Sequence, residues 1–137
     1  MSTMDSKTIW SHKTNFEATP ISASEARAFV SHHLVDHRLL YLVESVRLVA
    51  SELATNALVH AQTTFSVTLS GSDNEVVLTV WDDSQALPER RASQVLNASG
   101  RGLEIVDIVS QAWGINQDEA GSKGVWASFA LRKPREF

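Results

Sequence analysis

Glu52-Leu53-Ala54-Thr55-Asn56-Ala57-Leu58-Val59-His60-Ala61 is a stretch with two faces. At helical spacing, Leu53 and Ala57 extend an apolar stripe that begins with Val43, Val46 and Val49. The segment from about residue 40 to residue 60 therefore reads as one amphipathic helix. Glu52, Asn56 and His60 recur at i, i+4 and i+8 and form a polar column beside that stripe. A carboxylate and a carboxamide one turn apart suit a divalent ion and its water. Asn supplies a neutral oxygen ligand for Mg²⁺, and Glu can orient or deprotonate a nucleophile. A merely solvated helix face produces the same column, so the stretch alone leaves both readings open.

Working outward, a Ser22-x-x-Glu25 capping box followed by Ala26, Phe29, Val30 and Leu34 predicts an earlier helix. Before it, residues 16–20 read as a short edge strand, and residues 1–15 as a flexible arm. On the other side, Phe65, Val67 and Leu69 alternate strictly, residues 71–74 carry turn chemistry, and residues 75–81 form a more apolar strand. Together these predict a hairpin. Residues 82–102 break the pattern with Pro88, paired arginines and two glycines. A loop of that length inside a compact domain is usually functional. Helical spacing returns with Leu103, Val106, Ile108 and Val109. Strands over 113–117 and 125–131 then flank a turn, and residues 133–137 form a tail. The order β-α-α-β-β-loop-α-β-β argues for an α+β fold, a two-layer sandwich in which helices cover one face of a mixed, mainly antiparallel sheet. One domain over 16–132 is expected.

Composition narrows the function classes. The 137 residues carry a formal charge of -4, which gives no basic face for nucleic acid. The absence of cysteine excludes disulfides, thiolate metal sites and cysteine nucleophiles. No stretch approaches the ~18 consecutive apolar residues of a membrane span, and the polar N-terminus lacks the apolar core of a signal peptide. The expectation is a cytoplasmic protein with no direct nucleic-acid or membrane partner.

Two further sites carry chemistry. Asp82 and Asp83 end a β-branched strand, where a carboxylate can accept a hydrogen bond from an exocyclic amine such as that of adenine. Asp-Asp-Ser is equally good turn chemistry. Gly100-Arg101-Gly102-Leu103 opens the third helix, where glycines and first-turn N–H groups let an anion approach the backbone. The full dinucleotide and P-loop fingerprints are absent. His33 and His37 stand at the i, i+4 spacing of helical metal ligands, but no further ligand is evident, and with His32 they read as scattered surface histidines.

Order and spacing join these signals. Residues 52–61 resemble the N-box of the GHKL superfamily in the E-L-x-x-N-A-x-x-H-A form of the bacterial anti-sigma-factor serine kinases. Val80-Trp81-Asp82-Asp83-Ser84 is similar to the G1 box and Ser99-Gly100-Arg101-Gly102-Leu103 to the G2 box. Gly121-Ser122-Lys123-Gly124-Val125-Trp126 is similar to the terminal G-x-K-x-V-W segment. The resemblance spans residues 16–131 and implies a Bergerat-type ATP-binding fold. It implies Glu52 as the general base acting on a protein serine and Asn56 as a ligand of Mg²⁺. It also implies Asp82 as the adenine-binding carboxylate with Ser84 beside it, and Gly100, Arg101, Gly102 and Leu103 around the phosphates, beneath a lid over 87–99. The partners it implies are an anti-sigma-factor antagonist, which is phosphorylated, a sigma factor, which is sequestered, and a second copy in a homodimer. The chain departs from the family's D-x-G-x-G, because Ser84 and Ala86 stand at both glycine positions. That departure supports the alternative of a non-catalytic partner-binding module with weak or lost nucleotide binding.

Overall fold

The computed structural model describes residues 7–60, 64–82, 102–118 and 121–132. Its elements are β1 (Trp10–Glu17), α1 (Ser22–Asp36), a single 3₁₀ turn (Leu40–Leu42), α2 (Val43–His60), β2 (Thr64–Gly71), β3 (Glu75–Asp82), α3 (Gly102–Val109), β4 (Ala112–Gln117) and β5 (Lys123–Ala130). The strands form one sheet in the order β1-β2-β3-β5-β4. Every pairing among the described strands is antiparallel, so the expected mixed sheet is antiparallel throughout.

Alternation decides the two faces. Phe65, Val67 and Leu69 of β2 share the buried side with Val76, Leu78 and Val80 of β3 and with Ala127 and Phe129 of β5. Ala26, Val30 and Leu34 of α1 and Val46, Val49, Leu53 and Ala57 of α2 close over them. The helices lie side by side. α1 packs over β1 and β2, α2 over β3 and β5, and α3 beside β4, with α2 touching both other helices. The two-layer α+β sandwich expected from the element order is the fold observed.

Two local expectations are corrected. The first strand starts at Trp10, inside the stretch assigned to the arm, and ends at Glu17 without running to Pro20. Its inward set is Trp10, His12, Thr14 and Phe16, half-buried against β2, while Ser11, Lys13, Asn15 and Glu17 face water. The Trp10 indole lies over Gly71, where a Cβ would come within 2.3 Å of it, so the strand's first residue has a built seat. The Ser22 capping box also does not form. Ile21 is the N-cap residue and no side chain caps the helix. The Ser22 hydroxyl is buried and points back into the preceding turn, donating to the Glu17 carbonyl and accepting the Thr19 N–H at 3.1 Å. A serine hydroxyl offered a nearer backbone partner takes it, and the helix end goes without.

The end of α1 is closed by a backbone motif. Arg38 adopts a left-handed φ of 63°, the Arg38 N–H donates to Val35 O at 2.9 Å, and the Leu39 N–H donates to Leu34 O at 2.8 Å. This turn holds His37 against β1. The histidines are consequently not scattered. The His12 ring of β1 stacks on His33 with centroids 3.8 Å apart, and Trp10 stacks on His37 at 3.9 Å.

Burial, and then the neighbouring His12, hold the His33 and His37 imidazoles below the ordinary histidine value, with Asp36 opposing. A depressed histidine pKa means that the unfolded chain takes up protons more readily than the native one. Stability is therefore full above the unfolded value of about 6.5 and falls as pH drops below it. The urea midpoint is expected to be flat from pH 8 to 7 and to decline from pH 6.5 to 5.5. His33→Gln should flatten that decline; an unchanged decline in the variant would assign it to other groups.

Candidate functional site

Glu52 and Asn56 of the polar column stand on α2 where the periodicity put them. Leu53 and Ala57 are buried, while Glu52 and Asn56 are half-buried at the edge of the stripe. Ser51 marks the flank facing α1, because its hydroxyl accepts the Arg27 guanidinium at 3.0 Å. At 100° per residue, Glu52 and Asn56 fall on the opposite flank of the stripe, the side on which α3 packs. The carboxylate and carboxamide thus stand on the α3 side of α2, and Gly102 is the first residue of α3. Leu103 follows it in the first turn. Ser84, Ala86, Gly100, Arg101 and the lid over 87–99 lie outside the described residues. His60 is the last residue of α2.

Asp82 ends β3 on the face that carries Val76, Leu78 and Val80, the side covered by α2. It is buried, which a solvated turn aspartate is not. Antiparallel register sets Lys123 of β5 directly opposite Asp82. The Lys123 ammonium lies 3.8 Å from the carboxylate, with both side chains buried. Burial pulls the Lys123 pKa below its ordinary value, and the Asp82 charge pushes it back up. Sequence reasoning placed Lys123 in a motif but gave it no role. The available signal was a lysine in phase with Val125, Ala127 and Phe129, the inward positions of an apolar strand.

The other sheet face is tightly fitted at the same end. Gly124 pairs with Trp81, and a Cβ there would come within 1.9 Å of the indole. The turn into β5 is held by Asp118, whose carboxylate accepts the Ser122 N–H at 2.9 Å. Gly121 takes a φ of 96°, where any L side chain is strained. Both features fix the start of β5 and so the height of Lys123 beside Asp82.

Chemically, the arrangement offers a buried carboxylate paired with Lys123 beneath the helix layer and a carboxylate–carboxamide pair on the α3 side of α2. Gly102 places the start of α3 after both carboxylates and the carboxamide in the chain. Asn56 fits a hard divalent ion such as Mg²⁺, since its oxygen is neutral, partly solvent-facing and one turn from a carboxylate. Among the described residues, no helix is long and apolar enough to cross a membrane. A comparison with curated proteins found no match. The family model of the histidine kinase-like ATPase domain matches residues 16–128, from β1 through most of β5. The chain belongs to the histidine kinase-like ATPase domain family, whose members bind ATP.

Proposed function

We propose that the protein is an ATP-dependent protein serine kinase of the anti-sigma-factor type, binding Mg·ATP in the groove between α2 and α3. The observation that carries the reading is the buried Asp82 carboxylate beneath α2, with Glu52 and Asn56 half-buried on the α3 side of that helix. Asp82 accepts the adenine amine, and a buried carboxylate fixed by Lys123 selects a donor at that point. Asn56 holds Mg²⁺, which when bound neutralises phosphate charge. Glu52 orients and deprotonates the serine hydroxyl of the substrate protein, and the first turn of α3 turns its backbone N–H groups to the phosphates. The protein substrate is an anti-sigma-factor antagonist, and the captive partner is a sigma factor held by a homodimer.

Calorimetric titration of ATP with Mg²⁺ tests the nucleotide site. Wild type is expected to bind one ATP per chain. Asn56→Ala and Asp82→Asn are each expected to bind about 10- to 100-fold more weakly, the worth of a hydrogen bond involving a charged group. Ser84 and Ala86, at positions where the family carries glycines, favour the second reading of a partner-binding module without turnover. A folded wild type that takes up no ATP would make that second reading the better one.

A further inference from the structure

At the sheet edge away from the groove, β1 and α1 gather four of the five histidines, His12, His32, His33 and His37. We propose that His32, His33 and Asp36, within one turn of α1, form a binding site for a divalent transition-metal ion of the zinc class. One ligand atom from each of the three lies within 4.8 Å of the others, and among the described residues no other group of three histidines or carboxylates converges in this way.

Geometry agrees with the assignment. His32 Nε2 and Asp36 Oδ2 are 3.4 Å apart. Two ligands bound tetrahedrally at roughly 2.0–2.1 Å stand about 3.3 Å from each other, so this pair is already at chelating distance. His33 completes the set. Its Nδ1 is withdrawn from water and has no hydrogen-bond partner among the described residues, which leaves polar capacity in that ring unmet by the protein. The ring itself is held, stacked on His12 and met edge-on by Phe29 with centroids 4.8 Å apart. Behind it, the Nε2 atoms of His12 and His37 bond to each other at 2.9 Å, and Trp10 covers His37. Such an outer layer fixes the orientation of a ligating ring.

The donor set defines the class of ion. Two imidazole nitrogens and one carboxylate oxygen match Zn²⁺ and its neighbours in the first transition row. Mg²⁺ and Ca²⁺ prefer oxygen donors throughout. His32 and Asp36 are well exposed, with side chains 67% and 60% accessible, so an ion can enter directly from solvent and keep water in its remaining positions. The site stands on α1 and shares no residue with the proposed nucleotide groove.

The test is titration of ZnSO₄ into the untagged 137-residue chain, without nucleotide, followed by calorimetry and by metal analysis after gel filtration. One zinc per chain is expected, retained in the presence of millimolar Mg²⁺, together with an upward shift in Tm. His32→Ala and Asp36→Asn, both at exposed positions, are expected to weaken zinc binding at least tenfold while leaving the far-UV circular dichroism unchanged. His60→Ala, outside the cluster, should bind zinc as wild type does. Zinc affinity and stoichiometry unchanged in the His32 and Asp36 variants, or no binding by wild type, would overturn the assignment.

Discussion

Glu52→Gln is expected to lower phosphoryl transfer to a protein serine by about 10²- to 10⁴-fold while leaving ATP affinity within a few-fold of wild type. The expectation rests on the separation of roles along α2. Asn56, nearer the apolar stripe, is proposed to meet the ion, and Glu52 stands one turn earlier, further round toward solvent on the same flank. Loss of the base removes an interaction made only as the serine proton leaves, so the turnover rate falls and nucleotide binding does not. Glutamine keeps the length and hydrogen-bonding shape of the side chain, so a loss confined to transfer cannot come from a packing defect. The readout is γ-phosphate transfer to the serine of an anti-sigma-factor antagonist, with ATP titrated calorimetrically into the same preparations. Undiminished transfer in the variant would remove Glu52 from the mechanism. Equal loss of ATP affinity would instead make it part of the nucleotide site.

The parts of the molecule legible in the sequence are those whose cause is local. On α2 the apolar stripe and the polar column share one period, so 18 residues of sequence define both the buried side and the polar flank. The β2–β3 hairpin is legible for the same reason, with strict alternation on both strands around a turn. β1 is misjudged at its start because its inward set includes His12 and Thr14, and polar residues on an edge strand hide a period of two. Ser22 is misjudged because a local pattern competes with a turn that only the fold supplies. What stays hidden is distant pairing. Register across β3 and β5 brings Lys123 to Asp82, and the packing of α1 on β1 brings His12 to His33 and His37. Neither partnership has a sequence period to announce it, yet each supplies what a single motif lacked. Lys123 fixes the carboxylate, and His12 braces a metal-binding ring.

Lys123→Met is expected to destabilise the fold by about 3–5 kcal/mol, the effect of removing one member of a buried ion pair. The loss comes from the Asp82 carboxylate, which keeps its place on the covered face of β3 and loses the attraction of the Lys123 ammonium. The pair is itself a poor source of stability. Burial drags the Lys123 pKa below its ordinary value, so desolvation outweighs the attraction that the Asp82 charge returns. Two buried charges of this kind are often replaced by neutral groups without loss. The double variant Asp82→Asn with Lys123→Met should therefore recover most of the stability lost by the single one, a coupling read from urea midpoints in a double-mutant cycle. ATP binding should stay as weak as in Asp82→Asn alone, since a neutral amide oxygen replaces the charged acceptor for the adenine amine. Stability restored and binding still weak would mean that the ion pair is kept for the ligand and aims a carboxylate that the fold alone does not need. Binding that returned together with stability would mean that Asp82 serves the fold, and that adenine is recognised elsewhere in the groove.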